Sequence, residues 1–297
     1  MTKKDRTRQV PPDRASRRPI WAAGAVALAV GAIGIALFLS EARSGAPTAW
    51  ARLGTEDVHS LSFVGDDLDR LLFGHHGGLS ESLDGGRTWQ PLPTTADAMA
   101  MRPAGDGSII IAGHDVFTAS RDGGQTWQPI TADLPSLDIH GFTRDPADPA
   151  RMWTYLATGG LWESTDGGEQ WTRVRDDNVL FPLAVNRGRM TRLLAVEVNG
   201  LVASDDGGRT WMPLGAPPTY PMTALAATSD GAVLYAGSPD GLFRSEDGGR
   251  TWFKTSFSGS PFAIATSADG RTVAVVARTT DFFRSSDGGS SWPGPGS

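Results

Sequence analysis

The 297-residue chain contains no cysteine, which excludes disulfides, thiolate metal sites and cysteine nucleophiles and leaves the redox compartment open. It also lacks an internal linker, because related segments follow one another without a break from about residue 48 onward. Basic charge is scarce outside one short region. Residues 1–19 hold Lys3, Lys4, Arg6, Arg8, Arg14, Arg17 and Arg18 against Asp5 and Asp13, a balance of +5, so a chain of net charge −6 carries −11 elsewhere. That acidic remainder argues against nucleic acid as a partner, and equally against a basic patch docking on anionic lipid. Charge is missing altogether from Ile20 to Ser40, 21 residues rich in Ala, Gly, Leu, Val and Ile.

At 1.5 Å per residue that uncharged stretch reaches about the 30 Å of a bilayer core. It reads as a transmembrane helix, and the basic tail before it predicts a cytoplasmic N-terminus with the remainder exported. A cleaved signal peptide is the alternative, with Ser44-Gly45-Ala46 as the cleavage site. Its apolar region would be shorter, and here Pro47 follows. The expected organisation is a basic tail (1–19), a membrane anchor (20–40), a linker (41–47) and one extracytoplasmic domain (48–297), a single-pass protein of the cell membrane.

The domain is organised by an eight-residue pattern, Ser-x-Asp-Gly-Gly-x-x-Trp, first seen as Ser82-Leu83-Asp84-Gly85-Gly86-Arg87-Thr88-Trp89 and repeated five times. The Asp positions are Asp84, Asp122, Asp166, Asp206, Asp247 and Asp287, and the Trp positions Trp89, Trp127, Trp171, Trp211, Trp252 and Trp292. Successive Asp residues are 38, 44, 40, 41 and 40 apart, the period of a four-stranded propeller blade. Gly-Gly supplies positive φ for a tight turn and the Asp carboxylate accepts from the turn's own N–H groups. The Trp opens the next strand and buries aromatic surface. The boxes are thus turn locks rather than substrate contacts.

Four strands per repeat follow. In the first repeat they are Val58–Val64, Arg70–His75, Leu79–Leu83 and Thr88–Leu92, and later second strands are Ser108–Gly113, Met152–Ala157, Leu193–Val198, Val233–Gly237 and Thr272–Ala277. An apolar residue stands five positions before each box Asp: Leu79, Phe117, Leu161, Leu201, Leu242 and Phe282. The fold expected is an all-β, six-bladed β-propeller, with seven blades as the fallback. The last outer strand, Ser291-Trp292-Pro293-Gly294-Pro295, is weakened by proline, and Trp50 to Leu53 is expected to complete that blade and hide two sheet edges.

These boxes resemble the Asp-box (BNR) repeat of sialidase, sortilin and photosystem II assembly-factor-like propellers, over roughly Trp50 to Trp292. Val58-His59-Ser60-Leu61 and Gly74-His75-His76-Gly77-Gly78-Leu79 are similar to the His-Gly-Leu repeats of bacterial propellers labelled exo-sialidase or glycosyl hydrolase; Ser60 and His140 depart from that pattern. The resemblance implies a propeller and leaves function open. Sialidase chemistry would need three arginines, a Tyr–Glu pair and an Asp acid. The Arg-Ile-Pro signature is missing, only Arg175 and Arg278 are expected on the ligand face, Tyr220 is the one tyrosine there, and Glu56 and Glu197 are the candidate carboxylates. No sialidase catalytic residue is carried over.

If strands alternate in direction, all box turns share one face and all five histidines fall on the other. His59 and His140 enter first strands of blades one and three, whereas His75, His76 and His114 end second strands of blades one and two. His76 and His114 each stand eight residues before a box Asp, where the other repeats have Thr158, Val198, Pro239 and Thr279, so the repeat itself does not require them. With Asp57, Asp97, Asp115 and Asp138 nearby in sequence, His59, His76, His114 and His140 form a candidate transition-metal site, with His75 as an alternate or supporting ligand. Zinc, copper, nickel and iron fit such ligands, and zinc or copper is carried forward. The rival reading is imidazoles that only bond loop backbone. Two classes of function stay open: a membrane-tethered binding or assembly module for a protein or glycan, and a glycoside hydrolase.

Overall fold

Strands that, with one exception among the described residues, pair with their sequence neighbours build this domain. The computed structural model describes residues 46–177, 180–188, 190–197 and 200–296. The basic tail, the apolar stretch 20–40 and most of the 41–47 linker lie outside these residues, as does Val198. Among the described residues no helix is long and apolar enough to cross a membrane.

Six four-stranded antiparallel sheets are present among the described residues. Blade one comprises β2 (Ser60–Val64), β3 (Asp67–His75), β4 (Gly78–Ser82) and β5 (Gln90–Pro91). Blade two comprises β6 (Ala100–Pro103), β7 (Ile109–Gly113), β8 (Val116–Ser120) and β9 (Gln128–Pro129). Blades three to five repeat the order with β10 (Ile139–Arg144) to β13 (Thr172–Arg175), β14 (Leu180–Asn186) to β17 (Met212–Gly215), and β18 (Ala224–Ala227) to β21 (Phe253–Lys254). Blade six has β22 (Pro261–Thr266), β23 (Val273–Ala277) and β24 (Asp281–Ser285), and its fourth strand is β1 (Ala51–Arg52) from the other end of the domain.

That pairing, Ala51 with Phe282 and Arg52 with Asp281, closes the ring as expected from the Trp50–Leu53 stretch. Trp50 N–H donates to the Phe282 carbonyl (2.8 Å), and its indole N–H to Pro293 O (2.8 Å). Residues 291–294 form no strand; Pro293 offers no N–H there, and the segment instead accepts from Thr48 N through Trp292 O at 3.1 Å. Outer strands are also shorter than the sequence pattern suggested, two to four residues, because the box turn takes up the residues before each Trp.

The core is not a single cluster. It consists of six apolar layers, one at each blade interface among the described residues. The layer between blades six and one contains Leu61, Phe73, Val276 and the fully buried Phe282. Sheets covered on both faces carry near-continuous apolar second strands, such as Ile109–Gly113 and Val273–Ala277, every residue of which is buried.

The first box shows how the turn is locked. Ser82 Oγ donates to Asp84 Oδ1 (2.9 Å) and accepts from Gly86 N–H (2.8 Å). Asp84 also accepts from Arg87 N–H, Thr88 N–H and the Thr88 hydroxyl. Gly85 and Gly86 have φ of 76° and 100°. Gly86 also permits close approach of the preceding blade, because a Cβ there would lie 2.0 Å from the Phe282 ring. Gly168 and Gly208 likewise seat against the apolar residue five positions before the previous box Asp, Phe117 and Leu161, whereas Gly124 meets Leu92 and Gly289 meets Thr255. Trp89 then packs on Phe73 of its own blade and Phe282 of its neighbour, with ring centroids 6.3 and 5.3 Å apart.

Candidate metal centre

Antiparallel blades send the turns between third and fourth strands, the boxes, to one face. The turns between second and third strands and the blade-to-blade segments go to the other. His75 ends β3 and His76 stands in the β3–β4 turn, His114 in the β7–β8 turn, His59 just before β2, and His140 is the second residue of β10. All five therefore lie on the face opposite the boxes. Backbone bonds stitch these turns to the next blade: His75 O accepts from Ala98 N–H, and His114 bridges to Asp138.

A repeated arrangement orients two of the imidazoles. An Asp just before the blade's first strand accepts both the main-chain N–H and Nδ1 of a histidine in the following turn. Asp97 does this for His114, at 3.2 Å and 2.6 Å, and Asp57 for His76, through the main-chain N–H at 3.0 Å and a short contact to Nδ1. With Nδ1 tied to a carboxylate, Nε2 of His114 is left to face blade three. There it lies 3.3 Å from His140 Nε2 and 3.7 Å from Asp138 Oδ1, and His140 Nε2 is 3.1 Å from the same Asp138 oxygen. Three ligands about 2.05 Å from a tetrahedral ion would be separated by roughly 3.3 Å, so this triad has the dimensions of a metal-coordinating set. Its side chains are 42 %, 41 % and 38 % exposed for His114, Asp138 and His140, so a fourth ligand can approach from solvent.

Three such groups interlock among the described residues: Asp57, His59 and His76; His76, Asp97 and His114; His114, Asp138 and His140. The histidines form two pairs, His59 with His76 (3.1 Å between nitrogens) and His114 with His140, rather than one four-imidazole centre. The pairs are joined where the His76 and His114 rings stack, 5.9 Å between centroids and 12° between planes. His75 belongs to none of the three groups. Its ring stacks on Phe73 and its Nδ1 accepts from Gly77 N–H at 3.0 Å. Asp115 has φ of 56° and gives its N–H to Leu137 O, and it too stands apart.

Burial and the neighbouring carboxylate act in opposite directions on the blade-one histidines. Burial pushes the His59 pKa down, opposed by Asp57, and burial likewise lowers that of His75. His76 is raised by its hydrogen bond to Asp57. Burial disfavours ionised Asp57, but the His76 N–H and ring outweigh it and hold the carboxyl below its ordinary value. Asp97 Oδ1 is buried and has no hydrogen-bond partner among the described residues, an uncompensated acceptor beside two imidazoles.

Other residues named from the sequence lie elsewhere. Arg175 is ion-paired to Glu197 and Asp177, both at 2.8–2.9 Å, and Tyr220 is exposed beside them. The sequence reading missed Arg102, on β6 inside the ring, and Met99, which lines the same cavity as His59 and His140. The Asp-x-His spacing of Asp57/His59 and Asp138/His140 was a legible signal of paired ligands; nothing in the repeat marked Arg102 as inward-facing.

No protein family model matches the chain, and no curated protein matches it. Solved structures do. YCF48 from Cyanidioschyzon merolae shares 20 % identity over 84 % of this chain and 88 % of its own, with a TM-score of 0.51. YCF48 bound to a D1 peptide shares 16 %, covering 79 % and 95 %, with a TM-score of 0.56. The GH74 enzyme of Niastella koreensis shares 15 % over 80 % of this chain but 46 % of its own, with a TM-score of 0.54. At these identities the likeness establishes the propeller fold.

Proposed function

We propose that this chain is a membrane-anchored, extracytoplasmic Asp-box propeller that acts as a binding or assembly module and holds a divalent transition metal, zinc or copper, on its histidine face. The observation that carries the reading is the His114–His140–Asp138 triad, with Asp97 orienting His114 from behind. Three protein ligands leave one position open, and the open side faces solvent, where a donor atom of a partner protein can complete the shell. The uncharged stretch 20–40 supports the anchor, and the acidic remainder supports a partner other than nucleic acid. The structure of YCF48 with a peptide lends weight to a protein ligand, because it shows a propeller of similar fold in that role.

The test is elemental analysis of the purified full-length chain after zinc or copper loading and desalting. Near-stoichiometric metal is expected in the wild type and its loss in His76→Ala/His114→Ala. A wild type that retains no metal sinks the reading. The second reading, an exo-sialidase-like glycoside hydrolase, draws on the likeness to GH74 enzymes. A panel of aryl glycosides including sialosides separates the two, and turnover abolished by one carboxylate substitution would establish the hydrolase.

A further inference from the structure

The centre of the ring holds a charge that the histidine face does not use. Two cavities meet along the central channel, one of about 180 Å³ below the histidines and one of about 620 Å³ toward the box face. Five residues line both and so form the waist between them: Leu61, Leu183, Leu225, Ile264 and Arg102. Four are apolar and one is a cation. By strand register Arg102 pairs across to Ile110, and its counterparts in the other blades are Ser62, Thr143, Leu183, Ala226 and Ala265. A propeller of this sequence therefore closes with small or apolar residues at this level, and the guanidinium in blade two is an addition the architecture does not need.

Arg102 has no carboxylate within ion-pairing distance among the described residues. Its one hydrogen bond runs from Nη1 to its neighbour's carbonyl, Met101 O, at 2.9 Å. By contrast, Arg70 on the second strand of blade one and Arg151 just before that of blade three meet Glu81 and Glu163 at 2.8 and 2.7 Å. Burial pulls the Arg102 pKa down to about 10, so the group stays charged at neutral pH while no carboxylate among the described residues offsets its desolvation. A cation without a carboxylate partner, at a waist otherwise lined by Leu61, Leu183, Leu225 and Ile264, is a receptor for an anion.

We infer that the central channel is a binding site for a small apolar monocarboxylate, held by the Arg102 guanidinium with its hydrocarbon body against the surrounding leucines and phenylalanines. A guanidinium fork matches a carboxylate. One arginine with no second cation at the waist matches one negative charge rather than the two of a phosphate. Phe142, Phe181, Phe262 and Ile264 line the upper cavity and suit an aromatic or branched body. His59 and His140 border the same upper cavity, but the inference does not rest on the metal reading.

Benzoate titrated into the full-length chain by calorimetry, with EDTA present throughout, tests this. Benzoate is expected to bind, and benzamide, of the same shape without the charge, to bind at least about tenfold more weakly. Arg102→Leu continues the apolar waist, so it should fold, and should lose benzoate affinity by about tenfold to a hundredfold. Arg102→Gln is the second variant and should lose a similar factor. Benzoate binding that is absent at millimolar concentration, unchanged in both variants, or no tighter than that of benzamide overturns the inference. So does loss in His140→Ala with full retention in Arg102→Leu, which would place the anion at the rim.

Discussion

Replacing Trp50 with alanine tests whether the two ends of the domain hold each other. Trp50 sits just before β1, partly buried in the layer between blades six and one. Its main chain bonds Phe282 and its indole bonds Pro293 at 2.8 Å. Its ring meets Phe282 edge-on at 6.5 Å, with the Arg87 guanidinium 4.9 Å from its centre. Truncating a fully buried Trp costs about 3–5 kcal/mol. Trp50 is partly exposed, so a loss of about 2–3 kcal/mol is expected, including about 1 kcal/mol for the indole hydrogen bond. For a domain of this size each kcal/mol moves Tm by roughly 2–4 °C, which predicts a fall of about 5–10 °C in a circular-dichroism melt. Trp50→Phe keeps the ring and loses the indole bond, and should fall by roughly 2–4 °C. If Trp50→Ala melts within about 2 °C of wild type, closure by β1 contributes nothing to stability and the reasoning fails.

Gly86→Ala should destabilise by about 2–4 kcal/mol, because its Cβ meets the Phe282 ring at 2.0 Å with φ at 100°; Gly105→Ala, with open space around it, should stay within about 0.5 kcal/mol in a urea melt. At Asp84, burial is outweighed by the Thr88, Ser82 and Arg87 hydrogen bonds, and its pKa falls to about 2; that of Asp122 also falls to about 2, led by the Thr126 hydroxyl. A carboxyl depressed in the folded state stabilises above its unfolded value near 4 and loses that contribution as pH falls through the folded value. Acid unfolding should therefore develop between about pH 4 and pH 2, and Thr88→Val should move its midpoint upward in a pH titration followed by near-ultraviolet circular dichroism. Metal binding requires a neutral imidazole, and His76 is held above its ordinary value by Asp57. Apparent zinc affinity should rise as pH passes through that raised value, and Asp57→Asn should shift the rise to lower pH; no shift on calorimetry would remove Asp57 from the site.

The histidine face was legible because a meander has only two ends. Once six Gly-Gly corners were placed at one, residues eight positions before each box Asp had to be at the other. What sequence could not supply was the distance between blades. His59, His76, His114 and His140 read as one set of ligands, but each turn projects from its own blade, so they meet as two pairs bridged by a ring stack. His75 neighbours His76 in the chain and yet turns onto Phe73, since successive residues in a turn do not share a direction.

By itself the sequence determined the four-stranded repeat and its strand order, because these depend on local turn chemistry repeated at a constant period. Six blades over seven and closure by the Trp50 stretch were expectations that the strand pairing decided. Tertiary structure decided what depends on neighbouring blades. It seats Gly86, Gly168 and Gly208 against Phe282, Phe117 and Leu161 of a neighbouring blade, it sets the 3.3 Å approach of His114 to His140, and it brings Arg102 to the waist of the channel among aliphatic residues from other blades. Those contacts join residues tens to hundreds of positions apart, and no local pattern encodes the separation of two sheets packed face to face.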